Sequence, residues 1–277
     1  MVKIIDLDEL FDKYISDYVY SNIGKVKPEE IENKIPVLYS EFGDKRLSEL
    51  DGKTPNTYYR AFNTEELLTA LKTHIKDKVA VSDFLCEAIE AGNVDTVIDE
   101  LGKENEEEYT LYLMNFIDVS GTDKAADRLL DFILDDYSSP IRELATEMLS
   151  KYPEKVKKRI ISDFDCVSGE KKDCLAEILS NAGKDDEIFN LLINAFNDNI
   201  KSVALYAGCL GKYGDERAIP YLEQAAENEK IDYADFEEIR FNIELLGGEY
   251  KGKRDFSGDK IRKRLQGARN TKIVGNR

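Results

Sequence analysis

The feature that most constrains this chain is a helix breaker that returns about every thirty residues. Glycine tolerates the left-handed backbone that closes a helix, and proline cannot continue one. Successive breakers are 29, 32, 30, 31 and 33 residues apart. They are Gly92, Gly121, Pro153, Gly183, Gly214 and Gly247. Strand-type alternation is nearly absent between them, so the spacing predicts two short helices per unit and an all-α fold.

Apolar residues recur at fixed distances from these breakers. Four residues before them stand Ile117, Leu149, Leu179 and Leu210, and eight after them stand Leu129, Ile161, Leu191 and Leu222. The first repeat fits loosely, with Ala88 and Glu100 at these positions. A lone helix pair cannot bury both of its faces, so we expect about five pairs to stack on one another as a solenoid over residues 79–248.

One repeat resembles a known family. Residues 209–226 read Cys-Leu-Gly-Lys-Tyr-Gly-Asp-Glu-Arg-Ala-Ile-Pro-Tyr-Leu-Glu-Gln-Ala-Ala, and residues 178–196 and 149–164 are weaker copies. A Leu-Gly-x-x-Gly helix end followed by Asp-x-Arg-Ala and a proline is similar to short HEAT-like repeats of the phycobilisome-lyase type. The resemblance covers roughly residues 81–247 and implies an α-α superhelix. It implies no single function, because such repeats serve many unrelated tasks.

The first 78 residues lack this repeat and are expected to form an irregular helical N-terminal module. An apolar stripe from Leu7 to Tyr18 predicts a first helix. Pro28 predicts the start of a second helix that ends at Gly43, with a kink at Pro36. A capping box from Asn63 predicts a further helix start. The predicted domains are therefore 1–78, 79–248 and a basic tail, 249–277.

Charge is distributed unevenly along the chain. The net charge is −17, whereas residues 249–277 carry ten Lys/Arg and three Asp/Glu, 10 − 3 = +7, which leaves −24 for residues 1–248. Such an acidic body disfavours nucleic-acid binding over the whole surface. The tail is either a solvated, flexible terminus or a contact for RNA, a ribosome, an acidic partner or the acidic repeats themselves. The partner-binding candidates are Lys251, Lys253, Arg254, Lys260, Arg262, Lys263 and Arg264, and Arg269 and Lys272 follow them.

Two short motifs look like ligand sites but lack essential positions. Residues 52–54, Gly-Lys-Thr, resemble the end of a phosphate-binding loop, but Leu47 stands where that loop needs its first glycine. Asp163 and Asp165 begin like a calcium loop, but Cys174 stands where its final glutamate belongs. The sequence therefore predicts a turn at 52–54 and helix-end acids elsewhere, with no metal site.

Residues that could act as nucleophiles or zinc ligands are few. His74 is the single histidine, and we expect it to be exposed at a helix end. One histidine also excludes the repeated His-Glu pairs of HEAT-like deoxyhypusine hydroxylases. The cysteines Cys86, Cys166, Cys174 and Cys209 have no zinc-type spacing. We interpret them as reduced thiols, with Cys166 and Cys174 buried among apolar residues.

These observations favour a cytoplasmic protein, since the N-terminus lacks the apolar core of a secretory signal and no run approaches a membrane span. The predicted function is a non-enzymatic protein-protein interaction module that binds another protein or peptide on the repeat surface, without a cofactor. Two alternatives stay open. One is RNA or ribosome association through the basic tail. The other is an enzyme of lyase type acting on a pigment or cofactor, as bilin lyases do.

Overall fold

The chain is all-α. The structure, a computed structural model, describes residues 1–23, 28–103, 106–117, 119 and 121–264. It is 69% helical, with sixteen α-helices and no strand in these ranges. The chain divides into two compact units, Met1–Arg128 and a second from Leu129 onward. This boundary lies within a helix and not near residue 78, so the division at 78 stays a prediction from repeat pattern alone.

The first unit contains helices of very different length, from four residues in α4 to fifteen in α1. Its helices are α1 (Leu7–Ser21), α2 (Pro28–Glu32), α3 (Ile35–Gly43), α4 (Pro55–Tyr58), α5 (Thr64–Asp77), α6 (Asp83–Glu90), α7 (Val94–Leu101) and α8 (Glu107–Asn115). Helix α9 (Asp123–Leu134) contains the boundary between the units. α1 packs on α3, and α5 packs on α6, α7 and α8.

Helix starts in this unit follow local sequence signals, with one correction. The capping box is confirmed, because the Asn63 side chain accepts from the Glu66 amide while Glu66 accepts from the Asn63 amide. Residues 52–54 lie in a turn before α4. The single kinked helix over 28–43 is wrong. Two helices separated by residues 33–34 replace it, and Pro36 lies in the first turn of α3, where its missing N–H costs nothing.

His74 is buried, which corrects the expectation of an exposed helix end. None of its surface is exposed, and Nδ1 lies 2.9 Å from the carbonyl oxygen of Ala80. A carbonyl only accepts, so Nδ1 carries the proton and donates. The reason for the burial is the left-handed C-cap Lys78 (φ 55°), after which the chain turns back over the last turn of α5. Nε2 has no hydrogen-bond partner among the described residues.

The second unit consists of helix pairs joined at the breakers. Its helices are α10 (Ser139–Ser150), α11 (Lys157–Asp163), α12 (Glu170–Leu179), α13 (Asp186–Asp198), α14 (Val203–Tyr213), α15 (Ile219–Ala226) and α16 (Tyr233–Leu245). The first helices of successive pairs pack side by side, α10 on α12, α12 on α14 and α14 on α16, while α11 also packs on α13. This packing is compatible with a helical repeat fold.

The breakers and the apolar columns mark helix ends and the core. The six breakers all lie outside the α-helices, and Gly214 directly follows α14 and takes the left-handed conformation (φ 73°). Leu149, Leu179, Leu210 and Leu222 are buried. Ile161 and Leu191 are only half-buried, because the neighbouring residues Ile160 and Leu192 occupy the core positions. No α-helix in the described part of the chain is long and apolar enough to cross a membrane.

Candidate functional site

The structure separates the seven basic candidates into two groups. Arg254 and Arg262 are half-buried within the second unit. The other five are exposed, namely Lys251, Lys253, Lys260, Lys263 and Arg264. Arg269 and Lys272 lie outside the described residues. Arg254 and Arg262 pack on aromatic rings of their own chain, and Lys251 lies 3.7 Å from a carboxylate oxygen of Glu249.

Arg254 anchors the chain after α16. Its guanidinium donates to the carbonyls of Ala226 at 3.1 Å and Ile231 at 2.9 Å. Ala226 is the last residue of α15, so the cation meets a carbonyl left unpaired at the negative end of a helix. The same group lies 4.5 Å from the ring centre of Phe256 and 5.5 Å from that of Phe236.

Phe256 holds the same segment by burial. Only 7% of its surface is exposed, and its ring centre lies 5.3 Å from that of Tyr233 and 4.9 Å from that of Phe236. Further along, Asp259 accepts from the Tyr233 amide at 3.3 Å. Arg262 lies 5.8 Å from the Tyr233 ring centre. The described end of the chain therefore lies beside the first residue of α16.

A groove crosses the first helices of three successive pairs. It has a volume of about 590 Å³ and is lined by α12, α14 and α16. Ala204 and Gly208 of α14 and Ala234 of α16 contribute small side chains to it. Small residues leave room for a ligand to approach the helix backbones closely. The groove is therefore not filled by the side chains of its own helices.

Carboxylates dominate the charge of this acidic groove. Glu177, Asp235 and Glu238 line it, against the single cation Lys212. Partial desolvation raises the pKa of Glu177, with a further rise from Asp173 that Lys212 opposes. Desolvation also raises the pKa of Asp235. A raised pKa means that the charged form is less stable here than in water, so a cation brought into the groove would stabilise both carboxylates.

A hydrogen bond from a buried asparagine positions one acid of the groove. Asn242, which is 2% exposed, donates to the carboxylate of Glu238 at 2.9 Å and to its backbone carbonyl at 2.8 Å. Between the other two helices, Tyr206 donates to Asp173 at 2.7 Å. These contacts hold Glu238 in place on α16 and join α14 to α12 beside the groove.

Repeat-equivalent positions explain why these acids converge. Glu177, Gly208 and Glu238 are 31 and 30 residues apart, and Ser180 and Gly211 are also separated by one repeat. The sequence does not distinguish these carboxylates among its 56 acidic residues. Aligning the repeats by their breakers would have been the available signal, because residues one repeat apart lie side by side when the first helices pack together.

Burial disfavours the thiolate form of two cysteines, Cys209 and Cys86. Cys209 is 4% exposed, and burial, assisted by Glu177, raises its pKa to about 12. Burial likewise raises the pKa of Cys86 to about 11. The prediction that the other two cysteines are buried is wrong, because Cys166 is exposed and Cys174 is only half-buried. In the described ranges, no three His, Cys, Asp or Glu residues are arranged to hold a metal ion.

No protein-family model, curated protein or solved structure matches this chain. The structure is therefore an all-helical fold compatible with helical repeats, and its site has to be judged from its own geometry.

Proposed function

We propose that this protein is a cytoplasmic, non-enzymatic interaction module built from HEAT-like repeats, whose acidic groove binds a Lys/Arg-bearing segment of another protein. The observation that carries the proposal is the groove itself. It combines about 590 Å³ of space, small residues from α14 and α16, and three carboxylates against one lysine.

The chemistry of the groove selects the kind of partner. Exposed ion pairs contribute little individually, about 0–1 kcal/mol each, so affinity comes from several of them together with backbone and apolar contacts over Ala204 and Gly208. Electrostatic complementarity mainly adds specificity and speed of association. A segment with two or more cations and small or flat residues between them matches this arrangement.

The alternative functions have less support. RNA or ribosome association would use the exposed Lys and Arg side chains of residues 249–264. The guanidinium of Arg254 instead donates hydrogen bonds to carbonyls of its own chain. This hypothesis predicts binding that weakens steeply with salt. An enzyme of lyase type stays a prediction from the repeat resemblance, with no observation in the described residues that favours it.

The proposal is tested with a display library of random dodecapeptides selected on the immobilised full chain. We expect enrichment of peptides with two or more Lys/Arg residues. The best peptide is then measured by fluorescence anisotropy against the wild type and the double variant Glu177→Lys/Asp235→Lys. We expect at least tenfold weaker binding, which corresponds to about 1.4 kcal/mol.

A matched variant separates the groove from the general acidity of the protein. Asp198→Lys/Glu244→Lys makes the same charge change at exposed positions outside the groove. It should retain nearly wild-type affinity. Equal losses in both double variants, or an enriched pool without cationic bias, would contradict the proposal.

A further inference from the structure

A second pocket of the second unit adjoins a different face of α14 from the acidic groove. It has a volume of about 310 Å³ and lies between the end of α13 and α15. Val203, the first residue of α14, lines this pocket, whereas the next residue, Ala204, lines the acidic groove. Successive residues of a helix are rotated by about 100°, so the two sites open on different sides. They share no lining residue and can be tested separately.

The polar side chains of this pocket are neutral. Three of them are carboxamides, from Asn197 near the end of α13, Gln224 in α15 and Asn228 just beyond α15. In the part of the chain that the structure describes, no charged side chain lines it. Nine lining residues drawn at the 34% charged content of the chain would include about three charged ones. A charged ligand would lose its hydration here without gaining a countercharge, so this carboxamide pocket favours a neutral ligand.

Helical spacing places one polar wall. Tyr221, Gln224 and Asn228 stand at i, i+3 and i+7, which is a single face of α15 and its end. Glu227, between two of them in sequence, lies elsewhere and accepts a hydrogen bond from the Tyr250 hydroxyl. The neutral character of the pocket therefore comes from one helix face, in a helix that keeps its acids on the others.

Apolar groups complete the pocket. Phe196 and Val203 are each only 3% exposed and form its buried part. Ile200 and Tyr221 are exposed and form its rim. The Tyr221 ring offers a flat apolar surface that carries a hydroxyl group. A ligand in this pocket would meet apolar surface and carboxamides together.

The carboxamides both donate and accept hydrogen bonds. Oδ1 of Asn228 accepts from the Lys230 amide at 3.0 Å, which fixes this side chain and leaves its NH₂ group to donate. Asn197 and Gln224 are exposed, so water solvates them in the free protein. A ligand that displaces this water has to offer donors and acceptors in its place, because lost hydrogen bonds reduce affinity.

Sugar rings combine the required properties. Their hydroxyl groups donate and accept around the edge of the ring, while the C–H groups of one face form a flat apolar surface. The hydroxyls match the carboxamides, and the apolar face matches the ring of Tyr221. Ligand pockets have volumes of about 300–1,000 Å³, so this pocket suits a compact ligand of one or two rings.

We propose that the carboxamide pocket binds a neutral saccharide. Asn197, Gln224 and Asn228 hydrogen-bond its hydroxyls, and one face of a sugar ring stacks on Tyr221. This inference goes beyond the proposed function, since it concerns a different pocket and a ligand without charge.

The test is saturation-transfer difference NMR on the full chain. The probes are the methyl glycosides of glucose, galactose, mannose and N-acetylglucosamine, with maltotriose, cellotriose and a neutral Gly-Ser-Asn peptide. We expect transfer to at least one saccharide, strongest at the ring C–H protons that face Tyr221. Tighter binding of a trisaccharide than of any single ring would identify the ligand as a glycan chain. High salt should not weaken the binding, because neither side carries a charge.

Substitutions assign the binding to the carboxamide pocket. Asn197→Ala/Gln224→Ala should bind the best saccharide at least fivefold more weakly, about 1 kcal/mol, and Tyr221→Ala should also weaken it. The control Asn190→Ala/Asn194→Ala removes two exposed carboxamides from elsewhere on α13 and should bind like the wild type. All of these side chains are exposed, so the helical circular dichroism should be unchanged.

Three results would overturn the proposal. They are no transfer to any saccharide, transfer to the peptide alone, and equal losses in the two double variants. The acidic-groove variant Glu177→Lys/Asp235→Lys should keep full saccharide affinity. A loss in that variant would assign the sugar to the acidic groove and also contradict the proposal.

Discussion

Gly211 lies where α14 meets α16, and its replacement by alanine is expected to destabilise the second unit. A Cβ at this position would overlap Oδ1 of Asn242 and lie 2.7 Å from its Cγ. Carbon atoms in contact prefer about 3.5–4.0 Å. Asn242 would have to move, and it would lose its hydrogen bonds to Glu238.

The magnitude follows from three opposing contributions. Overpacking costs about 1–3 kcal/mol. Leaving the buried Asn242 amide unpaired costs about 1–3 kcal/mol. Alanine in a helix regains about 1 kcal/mol relative to glycine. We therefore expect Gly211→Ala to lower the free energy of unfolding by about 3 kcal/mol, or the melting temperature by about 6–12 °C for a unit of this size.

Gly208 offers a matched control three residues earlier in the same helix. A Cβ there would find its nearest neighbour, Oε1 of Glu238, at an ordinary 3.8 Å. Gly208→Ala should therefore stabilise the protein by up to about 1 kcal/mol. The two substitutions are chemically identical, and we expect their effects to have opposite signs.

Urea unfolding followed by circular dichroism measures both variants and the double variant Gly211→Ala/Asn242→Ala. Removing the Asn242 side chain relieves the overlap, so the double variant should be about 1–2 kcal/mol more stable than the sum of its single variants. If Gly211→Ala is as stable as Gly208→Ala, or the double variant is additive, the close approach of α14 and α16 is not as described.

Three further predictions concern other parts of the chain. His74→Ala leaves a cavity and an unpaired Ala80 carbonyl, and a calorimetric scan should show a loss of about 2–4 kcal/mol. Phe256→Ala removes the apolar anchor of residues 249–264, and limited trypsin digestion should cleave that segment faster while the helical circular dichroism is retained. The hydrogen bond from Arg217 lowers the pKa of Asp215 below 3.8. The ionised Asp215 therefore stabilises the folded state above that pH, and this stabilisation is lost as the pH falls through the lower folded pKa. In acid titration, the unfolding of Asp215→Asn should depend less on pH below pH 4 than that of the wild type.

Local signals explain why the helices could be located from sequence. The capping box at Asn63 and the left-handed Gly214 act through groups only a few residues away, so their effects hold in almost any tertiary setting. Pro36 shows where such a signal is ambiguous. Proline kinks a helix when it lies in the interior, but it is favoured in the first turn. The break at residues 33–34 places Pro36 in the first turn of α3.

The candidate groove depended on information that is not local. Nothing near Glu177 or Asp235 in sequence distinguishes them from the other acids. They matter because α12, α14 and α16 pack side by side and bring their positions together. A separation of one repeat indicates which residues take the same position in successive repeats. Only the packing shows which face of the helices is left uncovered by other helices.

The sequence by itself determined that this chain is helical, where the breakers between helices stand, and that an acidic body precedes a basic segment. Backbone sterics and short-range hydrogen bonding specify these features. The tertiary structure alone decided that His74 is buried, that Arg254 and Phe256 attach residues 249–264 to α15 and α16, and that three carboxylates share a groove. Those outcomes depend on contacts between residues distant in sequence, whose burial and pairing no local pattern specifies.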